Sequence, residues 1–245
     1  MNLKEESKKK PSAKTFLFIL IIAATGFLLS PFFSVKTIQI TQLERYTQSE
    51  ICDKINLSEG TNSIFFAKKK AERTLKQDPY ISDVRISLNL PSTIIVDIKE
   101  RKVRGYVPYM GSYLYIDEYG RVLDVQTHYE KKLPLVEGLD FKHFQKGELL
   151  PVKNQESFDV IVKIAQVMTK YKKYDLLDLI VRIDVSDPKD ICAYVNKVEV
   201  QLGDISDCDQ KIRTMAEIIN TIPESDRGTL NLKDMSKTPV FQYLT

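Results

Sequence analysis

Side chains able to do acid, base or metal chemistry are sparse in this sequence. His128 and His143 are its 2 histidines. Both fall in stretches expected to be loops, and neither has a partner in the sequence for base or metal chemistry. Asp117 and Glu118 are adjacent carboxylates, an arrangement that could share a proton. Because they lie on a predicted turn, their side chains point to different sides, and we expect them to shape the turn instead.

Motifs for nucleotide or nucleophilic chemistry are also missing from the sequence. The 9 glycines form no GxGxxG, phosphate-loop or GxSxG pattern, and there is no HExxH. Cys52, Cys192 and Cys208 are odd in number and include no CxxC pair, so they indicate neither a disulfide framework nor a zinc site. We expect buried thiols, with a Cys192–Cys208 bridge left open. The sequence predicts no catalytic residues, no cofactor and no metal.

The net charge of the chain resides in its N-terminal tail. The formal charge is +3, and the first 14 residues already carry it, with five lysines against two glutamates. The remaining body is neutral, so it lacks the basic surface that binding to phosphate backbones requires. We therefore expect no nucleic-acid partner.

An apolar run from Phe16 to Phe33 follows that tail. Its 18 residues carry no charge, which is close to the roughly 20 residues needed to cross a bilayer. We expect a transmembrane helix at 15–33; the alternative is a cleavable signal, whose apolar region is normally shorter. Lysines before the span place residues 1–14 in the cytoplasm and the body outside, as a type II single-pass membrane protein.

Residues 34–101 predict a small α+β domain after the span. A strand at 34–42 leads to a capping box at 47–50, where a short helix begins. A second helix is expected at 64–77; its lysines are interpreted as a solvated face, with a lipid or DNA patch as the alternative. Alternating apolar residues over 84–98 predict a hairpin. The predicted order is strand, helix, helix, strand, strand.

Residues 102–235 predict a second, mixed α/β domain built on a largely antiparallel sheet. One of its strands is indicated by the alternation of Leu179, Val181, Ile183 and Val185, which we expect to point inward. Helices are expected from Gln155 and over 209–222, and the last strand runs from Thr229 to Lys233. The remaining residues, 236–245, are expected to form a flexible tail.

Short motifs in the first domain resemble the FtsQ/DivIB family of bacterial cell division proteins. They stand in order along the chain: GTNSIF at 60–65, PYI at 79–81, LPST at 90–93 and ER at 100–101. Further along, YIDEYGRVL at 115–123 and LPLVEG at 133–138 resemble stretches of the same family. The resemblance implies that 34–101 is a POTRA domain placed directly after a single membrane span.

The resemblance also implies a function. It indicates a bitopic divisome scaffold that binds FtsL-like and DivIC/FtsB-like partners outside the membrane. Through them it would support septum formation and regulate the septal peptidoglycan synthase, from the cell membrane at the division septum. Two alternatives remain. A signal-anchored cell-wall enzyme would need a set of catalytic residues, and a POTRA receptor of a membrane assembly system would need a run of barrel strands.

The family pattern further implies where the partner binds. In it, the last helix and last strand of the second domain receive the FtsB/DivIC-type protein. A final strand followed by a short polar tail tends to lie at a sheet edge, where an incoming strand can pair with it. The alternative is that the tail covers this strand. The predicted partner-binding residues are Thr229, Leu230, Asn231, Leu232, Lys233, Val240, Phe241 and Tyr243.

Overall fold

The computed structural model describes residues 13–41, 43–130, 132–171 and 179–244. They divide into two compact units, one ending at Glu100 and the other beginning at Arg101. The first unit opens with an apolar helix, α1 (Ala13–Leu28), and a 3₁₀ turn, Pro31–Phe33. Among the described residues, Ala13–Phe33 is the one stretch long and apolar enough to cross a membrane, with a mean hydropathy of 2.4.

The predicted cytoplasmic tail, 1–14, lies outside the described residues except for its last two. Of its five lysines, on which the predicted orientation depends, Lys14 alone lies among the described residues. The predicted span, 15–33, falls entirely within the apolar stretch.

After the 3₁₀ turn, the described residues of the first unit fold into a three-stranded sheet with two helices. Its strands are β1 (Thr37–Thr41), β2 (Ile81–Asn89) and β3 (Thr93–Glu100), and its helices are α2 (Gln48–Lys54) and α3 (Lys68–Lys76). The central strand is β3, which pairs in parallel with β1 and antiparallel with β2. The predicted order of strand, helix, helix, strand, strand is confirmed. Buried residues of this core include Ile51, Leu75, Ile86, Ile94, Val96 and Ile98.

The two helices of this unit begin for different reasons. The predicted capping box is present, since Thr47 Oγ1 accepts a hydrogen bond from the Glu50 N–H at 3.3 Å and Glu50 Oε2 accepts one from the Thr47 N–H at 2.7 Å. The predicted start of the second helix at residue 64 is wrong, because α3 begins at Lys68. Asn62 Oδ1 accepts hydrogen bonds from the N–H groups of Ile64 at 3.0 Å and Phe65 at 3.3 Å. A turn therefore replaces the first turn of the predicted helix.

Within its described residues, the second unit is built on a mixed nine-stranded sheet. Its strands are β4 (Gly105–Tyr109), β5 (Ser112–Ile116), β6 (Val122–Gln126), β7 (Leu135–Glu137), β8 (Ile180–Asp184), β9 (Ile191–Val195), β10 (Val198–Gly203), β11 (Gly228–Asn231) and β12 (Val240–Tyr243). They lie in the order β12-β11-β10-β9-β8-β7-β4-β5-β6. Parallel pairs occur at β10–β11, β7–β8 and β4–β7, and the other neighbours are antiparallel, as predicted.

Two helices, α4 (Gln155–Lys170) and α5 (Cys208–Ile219), share one continuous core with this sheet. The predicted helix start at Gln155 is confirmed: Asn154 Oδ1 caps it by accepting hydrogen bonds from the N–H groups of Glu156 and Ser157. Buried residues of this core include Leu114, Val136, Ile161, Ile164, Ile183, Val200, Ile212, Met215 and Leu230.

One predicted inward side chain points outward. Val181 is 56% exposed, whereas Ile183 and Val185 are buried as predicted. The pairing of β8 with β9 shifts between Ile180 and Arg182. A bulge of this kind adds a residue to one strand and breaks the strict alternation of faces, so Val181 leaves the core face.

The C-terminal tail departs from two predictions. The residues expected to be flexible, 236–245, contain β12, and the strand expected at the sheet edge, β11, lies between β10 and β12. The alternative in which the tail covers the last strand is the one observed. Pairing with β12 satisfies backbone groups of β11 that an edge position would leave open, and Val240, Phe241 and Tyr243 are residue types that favour a strand.

Candidate functional site

The strand at this edge of the sheet is β12 and not β11, so the open backbone groups belong to β12. In an antiparallel pair, residues alternate between those bonded to the neighbouring strand and those whose backbone groups point away from it. The Leu244 N–H donates to the Arg227 carbonyl at 3.0 Å, which sets this alternation. Gln242 is therefore bonded to β11, whereas the N–H and C=O groups of Phe241 and Tyr243 point away from the sheet. These two residues present donors and acceptors to an added strand.

The side chains of β12 add apolar surface to this edge. Val240 is 53% exposed and Tyr243 is 66% exposed. The Phe241 ring packs against the core of the second unit, with its centroid 4.7 Å from that of Tyr243. The edge thus combines an exposed aromatic ring with one that fixes the strand to the sheet.

A glycine allows β12 to approach β11 closely. Gly228 lies opposite Tyr243 in the register, and a Cβ atom added to it would come 2.4 Å from both the Gln242 carbonyl oxygen and a carbon of the Phe241 ring. Any larger residue would meet β12 backbone as well as a ring, so the position of the edge depends on this glycine.

The connection from β11 to β12 is held by a polar turn. Asp234 Oδ1 accepts hydrogen bonds from Ser236 Oγ at 2.6 Å and from the Ser236 N–H at 3.0 Å, and Lys237 Nζ lies 3.1 Å from Oδ2. The bonds from Ser236 and then Lys237 lower the pKa of Asp234 to about 2. The carboxylate is therefore ionised at neutral pH and keeps the turn in place before β12.

The predicted partner-binding residues from 230 to 233 alternate between the core and the solvent. Leu230 and Leu232 are buried, while Asn231 and Lys233 are exposed, which is the predicted alternation. Lys233 Nζ lies 2.6 Å from Asp190 Oδ1, and this hydrogen bond raises the pKa of Lys233. A groove on the polar face is lined by residues that include Gln201, Thr229, Asn231, Lys233, Val240 and Gln242. Whether these eight predicted residues bind a partner stays a prediction.

The residues first considered for chemistry are dispersed. Asp117 shapes its turn as expected, by accepting hydrogen bonds from the N–H groups of Tyr119 and Arg121. His128 and His143 lie in loops. Within the described residues, no group of three or more His, Cys, Asp and Glu side chains could hold a metal ion.

The three cysteines are free thiols. Cys52 and Cys208 are buried and Cys192 is half-buried, so the Cys192–Cys208 bridge left open by the sequence is not formed. Burial raises the pKa of the Cys208 thiol to about 11. This thiol is therefore protonated and shielded at neutral pH.

Sequence reasoning missed one buried charge of the second unit. Lys211 is 2% exposed, and its Nζ donates to the Asp204 carbonyl at 3.0 Å and to Asp204 Oδ1 at 3.2 Å. It ties the start of α5 to the end of β10. The available signal was its helical spacing, because Lys211 lies three residues after Cys208 and four before Met215, on the apolar face.

An N-terminal apolar helix, a unit with the POTRA order of elements and a mixed sheet define a class of POTRA proteins. Residues 33–101 match the family described as "POTRA domain, FtsQ-type", and 105–236 match "Cell division protein FtsQ/DivIB, C-terminal". The chain belongs to the FtsQ/DivIB family of cell division proteins.

Relatives of this family align with most of the chain. The cell division protein DivIB of Clostridium botulinum strain Hall is 24% identical over 241 residues, covering 97% of this chain and 93% of that protein. DivIB of Bacillus subtilis is 22% identical over 236 residues, covering 94% and 85% respectively. A solved structure, the major extracytoplasmic domain of DivIB from Geobacillus stearothermophilus, is 15% identical with a TM-score of 0.34, covering 51% of this chain and 99% of that one.

Proposed function

We propose that this chain is a non-catalytic, single-pass scaffold of the division machinery, located at the septum. In this proposal α1 crosses the cell membrane, the lysine-rich tail lies in the cytoplasm, and both folded units lie outside. The apolar length of Ala13–Phe33 and the lysines before it support this orientation.

The open edge of β12 is the observation that carries the proposal. Phe241 and Tyr243 direct backbone donors and acceptors away from the sheet, and Val240 and Tyr243 expose apolar side chains beside them. Strand addition uses these two elements together, since the backbone bonds provide affinity and the side chains provide specificity. The partner therefore adds a strand outside β12.

The partners in this proposal are FtsL-like and DivIC/FtsB-like division proteins, with the DivIC/FtsB-like protein supplying the added strand. Through them the chain regulates the septal peptidoglycan synthase. Val240, Phe241 and Tyr243 form the contact edge. Thr229, Leu230, Asn231, Leu232 and Lys233 support that edge or line the groove next to it.

A proline on the open side of β12 tests strand addition directly. Tyr243→Pro removes an N–H that points away from β11, so the β11–β12 ladder keeps its own hydrogen bonds. We expect the affinity for the outer segment of the DivIC-like protein to fall by about fivefold or more, because a net hydrogen bond contributes about 1 kcal/mol. Isothermal calorimetry with residues 34–245 measures the change.

The matched control is Tyr243→Ala, which removes the same ring and keeps the backbone donor. It should reduce affinity less than the proline does. Lys99→Ala, on β3 of the first unit, should leave affinity unchanged. Equal binding by the proline variant and the wild-type chain, with both folded by circular dichroism, would place the partner elsewhere.

A further inference from the structure

A turn of the first unit is fixed to the end of the apolar helix. The Ser63 N–H donates to the Phe33 carbonyl at 2.8 Å. The Asn62 side-chain amide donates to the Leu28 carbonyl, at the last residue of α1, also at 2.8 Å. The turn at 60–65 therefore lies where the chain leaves the apolar helix.

The tip of the β2–β3 hairpin lies at the same place. Ser63 Oγ donates to the Pro91 carbonyl at 2.5 Å, and the Lys36 N–H donates to the Ser92 carbonyl at 2.9 Å. Lys36 comes three residues after the apolar stretch ends at Phe33. Two tips of the unit, 60–65 and 90–92, thus flank the exit of the chain from that stretch.

Each of these tips exposes a large apolar side chain. Phe65 is 57% exposed and Leu90 is 52% exposed. In the described part of the first unit after the 3₁₀ turn, they are the only large hydrophobic side chains among the exposed ones. Phe32, at the end of the apolar stretch, is 57% exposed as well. Apolar exposure in this unit is therefore concentrated at one end, which marks an interaction surface.

The residues that follow Phe65 along the chain are predominantly basic. Lys69 and Lys70 are exposed, and so is Lys36, whose N–H is bonded to Ser92. Glu59, the residue before the tip at 60–65, is an exposed acidic residue. Lys68 lies 4.0 Å from Glu72 and is partly neutralised by it. An apolar tip followed by lysines matches a membrane interface, where rings enter the acyl boundary and ammonium groups meet anionic headgroups.

We propose that the tips at 60–65 and 90–92 insert into the interface of the bilayer that α1 crosses, with Phe65 and Leu90 at the acyl boundary and Lys69 and Lys70 at anionic lipid headgroups. The inference rests on α1 spanning the membrane, as in the proposed function. Chain continuity identifies the occupant, since Phe33 is the last residue of the apolar stretch and both tips are bonded to the residues around it. The lysines after Phe65 then serve as a lipid patch, the alternative that the sequence left open.

Tryptophan fluorescence can test the insertion, because the chain has 0 tryptophans. Phe65→Trp and Leu90→Trp each introduce one probe into the full chain, reconstituted in nanodiscs with brominated acyl chains and a mixture of phosphatidylcholine and phosphatidylglycerol. We expect the emission of both probes to fall by about twofold or more relative to unbrominated lipid, since interfacial side chains lie about 5–10 Å into the headgroup and acyl boundary.

Two control probes separate the possible failures. Lys99→Trp lies on the same hairpin about 26 Å from its tip, at about 3.3 Å per residue, and should not be quenched. Phe27→Trp lies in α1 and should be strongly quenched. If Phe27→Trp is quenched but the tip probes behave like Lys99→Trp, the insertion is refuted while the anchor stands. If Phe27→Trp is not quenched either, both the anchor and the insertion are refuted.

The lipid charge is tested in the same system. With Phe65→Trp as the probe, replacing phosphatidylglycerol by phosphatidylcholine should weaken the quenching. Adding Lys69→Glu and Lys70→Glu should remove this dependence on lipid charge. If the dependence persists in the double glutamate variant, these lysines are not the headgroup ligands.

Discussion

Arg101 and Asp117 form an ion pair in the second unit: Arg101 Nη1 lies 3.1 Å from Asp117 Oδ2, and the Asp117 side chain is completely buried. Asp117 Oδ1 also accepts hydrogen bonds from the N–H groups of Tyr119 and Arg121, both at 2.9 Å. One carboxylate therefore closes the turn between β5 and β6 and holds the first residue of the unit.

Removing this carboxylate should destabilise the second unit. We expect Asp117→Ala to lower the free energy of unfolding by about 3 kcal/mol, because it breaks a buried ion pair and leaves two turn N–H groups unbonded. Urea denaturation of residues 34–245 measures the loss. Glu118→Ala, at the next position, should change it by less than about 1 kcal/mol. Similar losses in both variants would contradict a special role for Asp117.

Gly228→Ala should displace β12. The added methyl group meets the Gln242 carbonyl oxygen and the Phe241 ring, so we expect a loss of about 1–3 kcal/mol of stability. Hydrogen exchange should show faster exchange of the N–H groups that join β12 to β11. Thr229→Ala, which adds no atoms, is the control. Unchanged protection of β12 in Gly228→Ala would show that the added methyl group does not displace the strand.

Asp78 should make the first unit sensitive to acid. Burial alone would raise its pKa, but hydrogen bonds from Lys54 Nζ at 2.6 Å and Tyr46 Oη at 2.8 Å outweigh burial and hold the pKa below its ordinary value of 3.8. A carboxyl whose pKa is lowered by folding stabilises the fold above the unfolded pKa and loses that effect as the pH falls through the folded pKa.

Asp78→Asn removes this titration. The wild-type chain should therefore exceed the variant in stability by more at pH 6 than at pH 3, as measured by urea denaturation at each pH. Parallel stability curves for the two chains would show that Asp78 does not contribute to acid sensitivity.

The orientation of the chain predicts a reporter pattern. A reporter active only outside the cytoplasm should be active when fused after Thr245 and silent when fused at residue 10, because the lysines before α1 retain the tail inside. Enzyme activity in intact cells reads out both fusions. The reverse pattern would reject the proposed topology.

Short-range signals were enough to predict much of the fold. The capping box joins Thr47 and Glu50, which are three residues apart, and the hairpin over 84–98 follows from alternation around one turn. Each pattern is decided by neighbours along the chain, so the sequence contains all the information needed. The family motifs added the identity of the first unit.

Features decided by distant contacts were not predictable in the same way. Asn62 begins a turn, and not a helix, while its amide is bonded to Leu28, 34 residues away. Val181 leaves the core face where the pairing of β8 with β9 shifts register. The edge strand is β12 and not β11, because Gly228 leaves room for β12 to pair with β11. The need for glycine at this position can be recognised only when the opposing strand is known.

The parallel pairing of β1 with β3 has a consequence for the newborn chain. Thr41 opposes Asp97, 56 residues further along. At a synthesis rate of about 5–20 residues per second, the residues of β3 that pair with β1 are synthesised roughly 3–11 s after β1. Until then its backbone groups are open to pairing with another chain. The first unit is therefore most vulnerable to misassembly during translation, before β3 exists to occupy the place beside β1.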